Sequence, residues 1–272
     1  VRDRRRKSAP DRVFVEGPRP IEAALAAEAT LQHLFHTRSF AVRPEGRALL
    51  RRAERAAPPV RNEPEGRESA PSVCTEVSDK VMSQLSGTAT PQGVVAVVRL
   101  AQTALEGLPL SPIPLIIVCD GIQDPGNLGA IIRTADAAGS DAVVILPDTC
   151  DPFGCKTVRS TAGSIFNVPV IPCTADELIR YVAARGIALY VTDSHASSSL
   201  YEAVLTGPAA FAFGSETHGP STEIRSAAQG ALRVPIYGRA ESLNVAAAAA
   251  VCVYETVRQR KTSKPAIVIS EK

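Results

Sequence analysis

The sequence predicts an α/β protein: a parallel-sheet domain in its C-terminal part and a smaller α/β domain ahead of it. Beyond residue 114, short apolar runs alternate with helical stretches. Runs that are apolar throughout, rather than at every second residue, indicate a parallel sheet covered on both faces. Before residue 100 the strands are fewer and one of the helical stretches is basic. Between the two parts, residues 101–114 carry prolines at 109, 112 and 114 and read as a linker. The expected layout is a basic flexible arm over 1–12, a first domain over 13–100, a linker over 101–112, the parallel-sheet domain over 113–262 and a tail over 263–272.

In the first part, residues 13–15 read as a strand, 20–29 as a helix rich in Ala and Leu, and 31–35 as a second strand. Residues 46–56 predict a basic helix with Arg47, Arg51 and Arg55 on one face. That stripe fits a solvated face or an RNA contact, and both readings stay open. Residues 58–72, rich in Pro, Glu and Arg, read as a loop. Residues 76–85 read as a helix behind a Thr75 cap, and Thr90-Pro-Gln-Gly turns into a strand at 94–98. In the second part the predicted strands are 115–119, 142–146, 168–171, 187–191, 209–213 and 232–236. The predicted helices are 128–138, 175–185, 222–228 and a long last one over 243–260.

Composition narrows the classes. With 272 residues, 45% of them hydrophobic, the chain buries a full core and needs no disulfide staples. Its six cysteines show no C-x-x-C pair and its four histidines are scattered, so no metal is expected and a reducing cytoplasm is. No apolar run approaches a membrane span and no signal peptide is visible, so no membrane partner is expected. The chain opens at Val1 rather than Met, which leaves residues ahead of it as an expectation. Residues 1–110 carry 17 Lys/Arg against 13 Asp/Glu, whereas residues 111–272 carry 13 against 15. Five cations within residues 2–7 fit either a solvated tail or an arm that tracks nucleic-acid phosphates.

Ligands of parallel sheets bind beyond the carboxyl ends of the strands, which singles out three loops. The first, Asp124-Pro-Gly-Asn127, suits a tight turn, with Asn127 as a candidate helix cap and Arg133 two turns on, three residues ahead of Asp136. A turn, a cap and a surface ion pair would explain it; so would Asn127 and Arg133 facing an anionic substrate. The second, Gly214-Ser-Glu216-Thr-His218-Gly-Pro-Ser221, has two glycines that allow close backbone approach and a carboxylate that folding does not require. His218 is either an ordinary loop residue or a proton acceptor. The third runs from Val234-Pro-Ile-Tyr-Gly238 to Ser242-Leu-Asn244, then enters an alanine-rich helix. Ser242 is a candidate cap, and Asn244 falls in the first turn, where free N–H groups point outward.

Taken in order, the three loops resemble the motifs of the SpoU (TrmH) family of SPOUT-class RNA methyltransferases. Asn127-Leu-Gly-Ala-Ile-Ile-Arg133-Thr-Ala matches the first motif, Gly214-Ser-Glu216-Thr-His-Gly219-Pro-Ser the second, and Val234-Pro-Ile-Tyr-Gly238 with Ser242-Leu-Asn244-Val the third. Phe14-Val-Glu-Gly-Pro-Arg-Pro-Ile and Thr90-Pro-Gln-Gly-Val resemble the two ends of the substrate-binding domain in the ribosomal-RNA branch, and residues 158–166 also fit. Pro220 departs from the family, in which Leu or a similar residue is common.

The resemblance implies S-adenosylmethionine as cofactor and methylation of a ribose 2′-hydroxyl in 23S rRNA. It implies a C-terminal sheet tied in a deep trefoil knot, an N-terminal RNA-binding domain of ribosomal-protein type, and a homodimer. By carry-over, Asn127, Arg133, Glu216, Ser242 and Asn244 are the catalytic set, and Gly214, Val234, Ile236, Leu243 and Thr192 hold the cofactor. Arg133 is implied to meet the RNA phosphate beside the target ribose, as a charge clamp or as the base. Housekeeping modification and self-resistance to a ribosome-targeting antibiotic are both open purposes. The alternatives are a transfer-RNA methyltransferase and a non-catalytic RNA-binding or assembly factor. A dinucleotide-dependent dehydrogenase would need a Gly-rich turn that Asp124-Pro-Gly-Asn127 does not supply.

Overall fold

The computed structural model describes residues 12–56, 73–100 and 103–262. The expected basic arm up to residue 11, the loop at 58–72 and the tail from 263 lie outside the described residues. The chain divides into two compact units. One holds the described residues up to 100 together with Asp151–Asn167; the other holds Thr103–Cys150 and residues 168–262.

The first unit contains strands β1 (Arg12–Glu16), β2 (Thr30–His36), β3 (Cys74–Glu76) and β4 (Val94–Arg99), in the order β1-β4-β2-β3. β4 is antiparallel to both neighbours, and β2–β3 is parallel. Helices α1 (Pro18–Ala26), α2 (Arg38–Ala41), α3 (Pro44–Ala56) and α4 (Asp79–Leu85) complete the contiguous part. Val13, Val15, Leu31, Leu34, Val94 and Val95 of the sheet and Ile21, Leu25, Leu49 and Met82 of the helices are all buried. The helix expected at 76–85 starts later. Residues 74–76 pair with β2, and Ser78 rather than Thr75 caps α4 by accepting from Val81 N.

Residues 151–167, read from the sequence as part of the 113–262 domain, pack in this first unit as helix α6 (Cys155–Ser160) and a single turn at Ser164–Phe166. The Arg159 guanidinium lies 3.5 Å from the buried Glu16 carboxylate. Glu16 also accepts from Ser86 Oγ, from Thr88 Oγ1 at 2.7 Å and from Gly87 N at 3.2 Å. Burial pushes the Glu16 pKa up, but the hydrogen bonds and Arg159 outweigh it and hold it below the ordinary carboxylate value. Gly163 adopts φ +102°, and a Cβ there would press against the methyl of Ala23.

The second unit holds one sheet of seven strands, all parallel: β5 (Leu115–Asp120), β6 (Ala142–Ile145), β7 (Val170–Pro172), β8 (Ala188–Thr192), β9 (Ser198–Ser199), β10 (Ala209–Gly214) and β11 (Gly230–Arg233). Their order is β7-β6-β5-β10-β8-β11-β9. β5 and β10 are buried at every residue, as their unbroken apolar runs require. Side-chain alternation divides each strand between two faces. Leu115, Ile117, Cys119, Phe211 and Phe213 pack beneath helices α5 (Pro125–Ala138) and α9 (Val245–Thr262). Ile116, Val118, Ala210 and Ala212 pack beneath α7 (Ala175–Ala184) and α8 (Thr222–Ala227).

The expected linker is partly a core segment, because Leu105 and Leu108 are buried in the second of these clusters. The strand expected at 232–236 ends at Arg233, because its pairing with β8 and β9 stops there. Residues 234–244 therefore leave the sheet as a loop. Among the described residues, no helix is long and apolar enough to cross a membrane.

Candidate active site

The carboxyl ends of β8, β10 and β11 open into a cavity of about 980 Å³, at the top of the range usual for small-molecule sites, ~300–1,000 Å³. Its wall is assembled from three loops. The first follows β8, where Thr192 ends the strand with its Oγ1 donating to Ala212 O at 3.3 Å, and Asp193 and His195 lie beyond it. The second follows β10 and runs from Gly214 to Gly219. The third follows β11, from Val234 to Asn244.

The second loop is folded tightly. Ser215 and Gly219 form a bridge, with Gly219 N donating to Ser215 O at 2.8 Å. A Cβ on Gly214 would collide with the backbone of Gly219 and Pro220, and Gly219 holds φ +68°. Glycine is therefore required at both positions. Asp120, buried at the end of β5, accepts from Ser221 N at 2.7 Å. Arg225 on α8 ties this loop to the one after β8. Its Nε donates to Pro220 O at 3.0 Å, its Nη2 to His218 O at 3.4 Å, and its Nη1 meets Asp193 Oδ2 at 2.7 Å. The hydrogen bond from Arg225 is the main reason the Asp193 carboxyl lies below its ordinary pKa.

The third loop is built differently. Among the described residues, 234–243 make no hydrogen bond of their own. Their backbone N–H and C=O groups are left without partners in the described chain, and Val234, Ile236 and Leu243 line the cavity beside them. Backbone groups of this kind need partners when they are covered, so the loop is suited to receive a ligand.

A chain of hydrogen bonds links the three predicted motifs. Asn127 Nδ2 donates to Glu216 Oε1 at 2.6 Å, and Asn244 Nδ2 donates to Asn127 Oδ1 at 3.0 Å. Asn244 Oδ1 then accepts from Ala246 N at 2.9 Å and Ala247 N at 3.4 Å. Two capping expectations change accordingly. Asp124, not Asn127, caps α5 by accepting from Gly126 N and Asn127 N, which leaves the Asn127 amide free to reach across. Asn244, not Ser242, caps α9, so Ser242 remains exposed at the cavity wall.

Thr192, Gly214, Glu216, Val234, Ile236, Ser242, Leu243 and Asn244 all line the cavity, and Asn127 joins it through its two bonds. Arg133 does not line it. Six residues beyond Asn127 on α5, it points roughly 240° around the helix and is exposed. Asp120, Asp193 and Arg225 were not singled out in the sequence. Asp120 carries a weak signal, as a carboxylate closing an apolar strand, whereas Arg225 is one of several arginines with nothing in its neighbours to mark it.

Comparison with known proteins agrees with this geometry. The family model described as "SpoU rRNA Methylase family" matches residues 114–254, and that of the "MRM3-like substrate binding domain" matches residues 1–96. The chain is 38% identical over 181 residues to the 23S rRNA (guanosine(2553)-2′-O)-methyltransferase RlmP of Bacillus subtilis, covering 66% of this chain and 71% of the relative. It is 30% identical to the 23S rRNA (uridine(2479)-2′-O)-methyltransferase of Streptomyces viridochromogenes, across 97% of this chain and 88% of the relative. The crystal structure of the SpoU methyltransferase AviRb from Streptomyces viridochromogenes in complex with AdoMet superposes with a TM-score of 0.79 at 30% identity, over 93% of this chain and 91% of that one.

Proposed function

This chain belongs to the SpoU rRNA methylase family, and we propose that it transfers a methyl group from S-adenosylmethionine to a ribose 2′-hydroxyl of 23S ribosomal RNA. The observation that carries this reading is the bridge Glu216–Asn127–Asn244, which joins the loops after β5, β10 and β11 around one cavity.

The cavity fits the cofactor in three respects. Its volume is sufficient. The free backbone groups of 234–243 can take the hydrogen bonds of an adenine ring and a ribose. Val234, Ile236 and Leu243 offer apolar contact to a flat ring, while Thr192 and Gly214 border it. When bound, S-adenosylmethionine supplies an electrophilic sulfonium methyl. The residues of the chain position the nucleophile, and held geometry of this kind replaces much of the barrier to a two-molecule reaction. Ser242 projects at the wall and orients the ribose. Glu216 and Asn127 fix the loops that hold it. Arg133 offers a planar guanidinium suited to a phosphate. It acts as a clamp on the neighbouring phosphate and stabilises the 2′-oxygen while its proton passes to solvent and the methyl's bond to the cofactor sulfur breaks.

Arg133 lies outside the cavity of its own protomer, so it completes the site in a homodimer. The outer face of α9, with Ala247, Ala250 and a 48%-exposed Tyr254, supports pairing with a second copy. The strand order around β10, β8 and β11 supports the trefoil knot that family membership implies. In the first unit, Arg43, Arg47, Arg51, Arg52 and Arg55 are exposed on and beside α3 and form the RNA-contacting surface.

The test is transfer of tritium from labelled S-adenosylmethionine to separate samples of 23S rRNA and transfer RNA, the rRNA taken from cells lacking this activity. Arg133→Ala runs alongside. Label entering 23S rRNA alone, and lost in the variant, is expected. Cofactor binding without label in any RNA would contradict the proposed substrate.

A further inference from the structure

We propose that Tyr237 is the platform on which the base of the target nucleotide stacks while its ribose enters the cavity. The inference rests on the methyltransferase reading and adds a substrate-contacting residue to it. At 90% exposure, Tyr237 is the most exposed large apolar side chain among the described residues. Tyr190, Phe211 and Phe213 pack ring against ring on the core, and Tyr201 and Tyr254 are about half exposed. An aromatic ring left almost wholly in water therefore needs a reason.

Its position supplies one. Tyr237 does not line the cavity itself, but Ile236 before it and Glu241 beyond it do, so its stretch of the loop borders the cavity. It belongs to the segment 234–243, which makes no hydrogen bond of its own. The next residue, Gly238, has open space where a side chain would begin, so nothing in the chain crowds that side of the loop. Arg239, also exposed, sets a cation two residues away, suited to an adjacent phosphate.

The chemistry of the reaction gives such a platform a use. A nucleotide that turns outward to bring its 2′-hydroxyl to a methyl donor in the cavity leaves the stack of its neighbours. The base then loses stacking contact that an aromatic ring can replace, and every base has a face that such a ring accepts. The phenolic hydroxyl stays in water throughout.

The experiment compares full-length wild type, Tyr237→Phe and Tyr237→Ala in the tritium assay on unmodified 23S rRNA, with the Kd for S-adenosylmethionine and the oligomeric state measured for each. For Tyr237→Ala we expect KM for RNA to rise about tenfold or more, the scale of one lost stacked base, with cofactor Kd and oligomeric state unchanged. Tyr237→Phe should restore KM to near wild type. An unchanged KM in Tyr237→Ala overturns the proposal. So does a change confined to cofactor Kd, which would assign the ring to the cofactor, or dissociation of the oligomer, which would assign it to a subunit interface. Wild-type protein that labels no rRNA would overturn this inference together with the reading beneath it.

Discussion

The loops after β10 and β11 line the same cavity and are built in opposite ways. The first is held by its own bridge, by Asp120, by two hydrogen bonds from Arg225, by a glycine at 214 that admits no Cβ against backbone and by a glycine at 219 with φ +68°. Among the described residues the second has no internal hydrogen bond from 234 to 243; it is anchored at its ends, where Arg233 donates to Ala196 and Ser197 and where Asn244 caps α9 and donates to Asn127. One loop is a preformed wall; the other keeps its polar backbone groups for ligands. The difference places order where the site needs a fixed reference and leaves hydrogen-bonding capacity where cofactor and substrate arrive.

The largest expected effects come from breaking the rigid loop. Gly214→Ala forces a Cβ into the Gly219–Pro220 backbone. It should abolish measurable cofactor binding and lower Tm, whereas Gly238→Ala in the open loop, where nothing lies within 4 Å, should change stability by no more than ~0.5 kcal/mol. Thermal melts and equilibrium binding on the two variants check the contrast. Next comes the link between the loops. Asn127→Ala removes both the bond to Glu216 and the bond from Asn244. Methyl transfer should fall by about 10²-fold, the scale of a small misplacement, with little change in cofactor Kd.

Asn244 and Ser242 then separate stability from chemistry. Asn244→Ala should cost about 1 kcal/mol in unfolding free energy through the lost cap, besides its loss of activity. Ser242→Ala should lose activity alone, because Ser242 caps nothing. The smallest effect concerns pH. The Asp193 carboxyl is depressed chiefly by its hydrogen bond from Arg225, so its contribution is complete above the ordinary aspartate value and fades as pH falls through the lowered one. Wild type should thus lose part of its Tm advantage over Arg225→Ala on acidification below about pH 4. An advantage that stays constant down to pH 2 would argue that the clamp adds nothing through charge.

Much of the second unit was legible because its strands are buried on both faces. Leu115–Asp120 and Ala209–Gly214 are continuous apolar runs, and no other element accommodates them as well. Their ends led to the loops, and the loop motifs to most of the cavity wall. What escaped depends on contacts across long sequence distances. Arg225 is identified only by its three partners, two of them backbone carbonyls, whose bonds to it no local pattern in the sequence shows. The caps moved because Asp124 and Asn244 each lie nearer a helix start than periodicity suggested. Residues 151–167 look like any βα segment until packing against β1 and Ala23, over a hundred residues away, assigns them to the first unit. The second half of the 232–236 strand fails for a plain reason: Val-Pro-Ile is apolar, but no neighbouring strand extends to pair with it.

The central claim is that the loop after β11 holds its backbone open for the cofactor while the loop after β10 is already formed. Amide hydrogen exchange, with and without S-adenosylmethionine, tests it residue by residue. The account predicts fast exchange across 236–243 in the free protein and strong protection on binding, with Gly219 protected in both states by its bond to Ser215. Protection of 236–243 before any ligand is added, or no change on its addition, would contradict it.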